Sequence, residues 1–158
     1  MKNNIIENMF DREMIFLDYE AEDADDFLDK IAGTLYEKGY VKKEFKEAIK
    51  ERERIYPTGL PTMGVKVAIP HTDIVHALRP VIAVVKFKDT VAFKEMGDGL
   101  NDIRAQLAFV LVVTELNGQV DTLQALMELF CKEGALERIC SCTERGDMLR
   151  VLLREIRA

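Results

Sequence analysis

Ala105-Gln106-Leu107-Ala108-Phe109-Val110-Leu111-Val112-Val113-Thr114 carries one polar side chain, Gln106, before its closing threonine. A run so rich in Val, Leu and Phe has no face to turn to water, so it reads as a central strand covered on both sides. Val81-Ile82-Ala83-Val84-Val85-Lys86-Phe87 has the same character. The two are separated by Lys94 to Asn101, where Gly97, Asp98 and Gly99 mark a loop. Val65 to Ile69 adds a further strand, and Met14 to Tyr19 an opening one. Around these the spacing turns helical. Ala24, Phe27, Leu28, Ile31 and Leu35 recur on one face up to Gly39, and Phe45, Ala48 and Ile49 recur within Lys43 to Arg54, where Pro57 and Gly59 end the pattern. Leu123, Leu126, Met127 and Phe130 make a stripe over Gln119 to Lys132, closed by Gly134. Thr143 is placed to cap a last helix carrying Leu149, Leu152 and Ile156. The expected class is α/β, a mixed sheet flanked by helices on both faces.

Composition narrows the possible functions. The chain has 158 residues, 48% hydrophobic and 32% charged, which fits one globular domain over 1–158 with a real core. No repeat, low-complexity tract or Pro/Gly/Ser-rich linker divides it. Met1 to Phe10 lacks the apolar core of a signal peptide, and no apolar run approaches the ~20 residues that span a bilayer. The expectation is a cytoplasmic protein without membrane insertion. Three cysteines, Cys131, Cys140 and Cys142, lack the paired spacing of a zinc site and read as free thiols. A net charge of −6 disfavours nucleic acid and suits a partner with a basic face.

One of only two histidines, His71, follows the apolar segment Val67-Ala68-Ile69-Pro70. A residue just past a strand end is held rigidly yet stays reachable. Pro70 lacks an N–H and fixes its own φ, so ladder pairing is expected to stop before His71, leaving the imidazole presented. Position alone does not make a histidine reactive, since most such side chains are ordinary surface or hydrogen-bonded groups. Arg52, in the run Lys50-Glu51-Arg52-Glu53-Arg54, reads by spacing alone as part of a solvated helix face. His71, Asp73 and His76 lack the i, i+4 spacing by which two histidines ligate a metal from one helix.

Taken together, the residues carry a resemblance. Arg52-Glu53 leading to Pro57-Thr58-Gly59, then Ala68-Ile69-Pro70-His71, the strand Leu107 to Val113, and Leu123-x-x-Leu126-Met127-x-Leu129-Phe130 resemble the fructose/mannitol (type-2) IIA component of the phosphoenolpyruvate-dependent sugar phosphotransferase system (PTS). The similarity runs from about Met14 to about Ile156. Tyr56-Pro57-Thr58-Gly59, His76 five residues after His71, and the lack of a later histidine are most similar to galactitol-specific IIA proteins.

The resemblance implies a mannitol-type α/β/α sandwich and a phosphoryl relay. Phospho-HPr would donate to His71 at Nε2, and the group would pass to a cysteine of the sugar-specific EIIB partner, with the membrane EIIC completing the system. A neutral imidazole has a free lone pair on one nitrogen, which is the chemistry such a step requires, provided Nδ1–H is tied to an acceptor such as a nearby backbone carbonyl. No cofactor or metal is implied, because transfer between imidazole nitrogens depends on positioning and charge stabilisation. Arg52 falls on the family motif as the phosphoryl-stabilising guanidinium. Thr58 is a secondary candidate as a hydroxyl donor to the phosphoryl group. The family carries a second active-site histidine where this chain has Gln119, which can donate through its amide but holds no charge. His76 does not align with either histidine. Met63, Ile74, Val75 and Leu78 are expected to make the surface around His71 partly apolar. An alternative within the resemblance is a regulatory, nitrogen-type IIA module whose phosphorylation alters partner binding.

Overall fold

The computed structural model describes residues 6–158. From the amino end the chain forms β1 (Ile15–Tyr19), α1 (Ala24–Glu37), α2 (Phe45–Ile55), β2 (Gly59–Leu60), β3 (Val67–Ala68), β4 (Val81–Lys94), β5 (Asp102–Val112), α3 (Leu116–Cys131), α4 (Ala135–Cys140) and α5 (Arg145–Arg157). Short 3-10 turns occupy Arg12–Met14 and Ile74–His76. The strands make one mixed sheet in the order β1-β4-β5-β3-β2. β4 and β5 are antiparallel, β1 runs parallel to β4, β3 runs parallel to β5, and β2 closes the far edge antiparallel to β3. The two most apolar segments therefore sit inside the sheet, as their composition requires.

Side chains along a strand alternate between faces, and here the alternation divides the core in two. Ile82 and Val84 of β4, with Leu107, Phe109 and Leu111 of β5, meet Leu126 and Leu129 of α3, Leu136 of α4 and Leu152 of α5. Val81, Ala83 and Val85, with Val110 and Val112, meet Phe27, Ile31 and Leu35 of α1 and Phe45 and Ile49 of α2. Helices thus flank both faces, as the sequence predicts. On the second face Phe27 and Phe87 pack edge-to-face with centroids 4.9 Å apart, the geometry favoured by the aromatic quadrupole.

Several element boundaries differ from expectation. β4 continues to Lys94 through a register shift between Lys86 and Val91, so the strand outlasts its continuously apolar start. α3 begins at Leu116, ahead of Gln119, because Leu116 and Asn117 add an exposed first turn that the apolar stripe does not mark. α4 is a separate six-residue helix, too short for a periodic signal to emerge. Gly134 does more than stop α3, because at φ 76° it turns the chain directly into α4. Glu144, not Thr143, is the N-cap residue of α5, and no side chain caps that end. Among the described residues no helix is long and apolar enough to cross a membrane.

Candidate active site

The site forms where three chain ends converge at the carboxyl end of β3. α2 ends at Ile55, and after Tyr56 the residues Pro57-Thr58-Gly59 run into β2 beside β3. β5, parallel to β3, delivers the chain into α3. In α/β sheets such a crevice beyond the carboxyl ends of parallel strands is the usual location for ligand chemistry.

His71 sits three residues past β3 and is partly buried. Pairing with β5 stops before His71, as expected, and Pro70 takes its last bond. It offers no N–H, yet its carbonyl accepts from Leu111 N at 3.0 Å, so bonding to β5 extends to the residue before the histidine. On the other side Ile69 N donates to the Thr58 carbonyl at 3.3 Å. The two residues before His71 are therefore fastened to the strands on either side, Ile69 toward β2 and Pro70 to β5. His71 Nδ1 lies 2.8 Å from the Ile69 carbonyl. A carbonyl only accepts, so Nδ1 carries the proton and the Nε2 lone pair is left for chemistry. Burial, aided by the Arg52 positive charge and opposed by the Ile69 bond, lowers the imidazole pKa below its ordinary value. The ring is thereby kept neutral near physiological pH.

Arg52 stands in the last turn of α2, partly buried, with its guanidinium carbon 4.5 Å from the Tyr56 ring centroid. Stacking on the ring holds the planar group, and among the described residues no carboxylate pairs with it. Gln119, in the first turn of α3, donates from Nε2 to the Thr72 carbonyl at 2.9 Å. That bond brings the residue to the immediate neighbour of His71 and leaves its second amide hydrogen available. The structure thus gathers His71, Arg52 and Gln119 at one end of the sheet.

Thr58 lies in the same cluster but is differently engaged. It is buried, and its Oγ1 donates to Glu53 Oε1 at 2.9 Å while its N–H donates to Glu53 Oε2 at 2.8 Å. A hydroxyl has one proton, and this one is committed to the carboxylate, so direct donation to a phosphoryl group is not its arrangement here. His76 uses its backbone carbonyl to accept from Lys42 N at 2.9 Å, tying the loop to the α1–α2 connection. Among the described residues no group of three or more His, Cys, Asp or Glu side chains is placed to hold a metal ion.

Residues 8–155 match the family described as phosphoenolpyruvate-dependent sugar phosphotransferase system, EIIA 2. The chain belongs to this family. This EIIA is 26% identical over 122 residues to the galactitol-specific EIIA component of Escherichia coli strain K12, covering 77% of this chain and 81% of that protein. Its fold matches the solution structure of the mannitol-specific cryptic enzyme IIA CmtB from Escherichia coli with a TM-score of 0.74 at 21% identity, covering 98% of this chain and 99% of the other. It also matches the IIA mannitol chain in the Escherichia coli complex of that enzyme with phosphorylated IIB mannitol, with a TM-score of 0.71 at 23% identity over 90% of this chain and 97% of the other.

Two features of this EIIA site escape the sequence reading. Glu53 sits inside a charge run yet is 9% exposed. Phe45, Ile49 and Glu53 are spaced by four, so the buried stripe of α2 could have found it. Gly59 is required by a close approach, because a Cβ there would meet the Lys94 carbonyl at 2.7 Å. Met63 corrects an expectation. It is 90% exposed, but it lies in the β2–β3 loop near Phe130 and Glu137, at the end of the sheet away from His71. Val75 and Leu78, which follow His71 in the chain, and Leu116 and Val120, which flank Gln119 in α3, are exposed.

Glu53 makes stability depend on pH. Burial, against the two Thr58 bonds, pushes its carboxyl from 4.5 up to about 7. A raised carboxyl pKa favours the protonated fold, so its contribution is complete below the unfolded value of 4.5 and is lost as pH rises through about 7. Glu53→Gln, which cannot ionise, is expected to gain on the wild type as pH goes from about 5 to about 8, by on the order of 3 kcal/mol. Denaturant unfolding of both proteins at the two pH values checks this. An equal difference at both would contradict it.

Proposed function

We propose that this EIIA is a cytoplasmic phosphocarrier that accepts a phosphoryl group from phospho-HPr on His71 and passes it to a cysteine of an EIIB partner, serving a membrane EIIC. The observation that carries the reading is the 2.8 Å bond from Nδ1 to the Ile69 carbonyl, which leaves Nε2 as the nucleophile. In the first step the P–N bond of the donor phosphohistidine breaks and a P–N bond to His71 Nε2 forms. Nδ1 keeps its proton, so the phosphorylated ring becomes cationic and its bond to Ile69 strengthens. In the second step that P–N bond breaks, a P–S bond to the EIIB thiolate forms, and His71 returns to a neutral imidazole. Arg52 lies beside the ring to balance charge on the equatorial phosphoryl oxygens. Gln119 can offer one further N–H. Val75, Leu78, Leu116 and Val120 are exposed apolar side chains on the segments that carry His71 and Gln119, and they are the candidates for transient docking. Similarity to the galactitol-specific component supports galactitol as the transported sugar.

The test is reconstitution. Phosphoenolpyruvate, enzyme I and HPr are added, and intact mass is followed before and after addition of a galactitol-type EIIB. One acid-labile phosphoryl group that drains to EIIB is the expected result. Phosphate accepted but retained would favour the regulatory reading, and no acceptance would overturn the relay.

A further inference from the structure

Glu53 and His71 are linked by hydrogen bonds through the backbones of Thr58 and Ile69. The Glu53 carboxylate receives both the N–H and the hydroxyl of Thr58, at 2.8 and 2.9 Å. The Thr58 carbonyl receives Ile69 N–H at 3.3 Å, and the Ile69 carbonyl receives His71 Nδ1–H at 2.8 Å. The N–H and the carbonyl of Thr58 belong to different peptide units, as do those of Ile69, so the links act by fixing backbone position. The path is mechanical. Pro57-Thr58-Gly59 is a connection without a long ladder of its own, since β2 has only two residues. Two bonds to one buried carboxylate fix Thr58, and Thr58 in turn fixes the height of Ile69. Glu53 does not contact the reacting atoms, has no ion-pair partner among the described residues, and is poorly solvated, which is a costly placement for a residue with no task.

We propose that Glu53 is a positioning residue for phosphoryl acceptance: through Thr58 and Ile69 it holds His71 in the Nδ1–H tautomer and aims Nε2 at the donor. The inference rests on His71 being the accepting residue. It adds that the nitrogen available for reaction is chosen three hydrogen-bonded links away. Because Thr58 acts as the link, its place beside Arg52 and His71 gains a role other than direct contact with phosphate.

The experiment reads the tautomer before any transfer. The intact protein, labelled with 15N in histidine, is compared with Glu53→Ala, Glu53→Gln and Thr58→Val by the imidazole nitrogen shifts of His71, at a pH where the ring is neutral. Glu53→Ala is expected to populate the Nε2–H tautomer and to slow acceptance from phospho-HPr by about tenfold or more, the usual effect of losing a group that orients a histidine. Glu53→Gln can offer its oxygen to Thr58 N–H and its amide to Thr58 Oγ1, so it should keep more of the wild-type tautomer than alanine does. Thr58→Val retains the N–H bond alone and is expected to fall between them; it also serves if the alanine variant does not fold. A folded Glu53→Ala or Thr58→Val protein with wild-type nitrogen shifts and a rate within twofold of wild type would overturn the proposal. Failure of the wild type to accept phosphate would sink the relay instead, while the tautomer comparison would still decide the role of Glu53.

Discussion

Replacing His71 by asparagine or alanine is expected to abolish phosphoryl acceptance altogether while leaving the protein folded. No other side chain in the cluster offers a comparable nucleophile: Arg52 has no lone pair to give, Gln119 is an amide, and the Thr58 hydroxyl is buried and bonded to Glu53. Asparagine is the more informative variant. Its amide N–H can occupy the place of Nδ1–H against the Ile69 carbonyl, so stability should stay within about 1 kcal/mol of wild type, whereas alanine leaves that carbonyl without its side-chain donor. Intact mass after incubation with phosphoenolpyruvate, enzyme I and HPr reads the first effect, and thermal unfolding reads the second. A phosphoryl group on folded His71→Asn would place the acceptor elsewhere. The variants should also differ from wild type at low pH. The wild-type imidazole has a depressed pKa in the fold, so its contribution to stability is complete above the ordinary 6.5 and fades as pH falls through the folded value. Proteins without His71 lose that sensitivity.

The central strands and the reactive histidine are legible in the sequence for the same reason: each is marked by residue types that admit few alternatives. β4 and β5 begin or end in runs too apolar for any exposed face, and Ile69-Pro70-His71 joins a strand to a polar side chain through a residue with fixed φ. Glu53 is hidden because alternating charges from Lys50 to Arg54 resemble a solvated surface, and only the four-residue spacing from Phe45 and Ile49 reveals that one of them turns inward. Met63 shows another limit. It lies eight residues before His71 in sequence, yet β2 and β3 fold as a hairpin that puts their connecting loop at the opposite end of β3. Pro70 is legible only in part, since a missing donor says nothing about the carbonyl that still pairs with Leu111. Local chemistry is written in residue types, whereas which end of a strand faces which neighbour is decided by the topology.

Removing Arg52 is expected to be the next most damaging change. Among the described residues no carboxylate pairs with the guanidinium, and its charge already acts on His71, where it helps hold the imidazole neutral. When a phosphoryl group carrying two negative charges arrives, the same charge becomes attractive, so Arg52 discourages the protonated ring before transfer and stabilises the anion during it. Arg52→Gln should therefore lower the acceptance rate by about 10²- to 10³-fold, the usual effect of deleting one preorganised donor to a developing anion. It should also raise the His71 pKa toward its ordinary value, which an NMR titration reads separately. Arg52→Lys keeps the charge but loses the planar fork and its stacking on Tyr56, so it should lie between the two, nearer wild type in the His71 titration than in the rate. Measuring acceptance against phospho-HPr concentration separates docking from chemistry. A loss confined to KM would assign Arg52 to partner binding, and a rate for Arg52→Gln within twofold of wild type would remove it from the site. A fall in the maximal rate, accompanied by the upward shift of His71, requires one charge that acts on the ring and on the phosphoryl group from the same position.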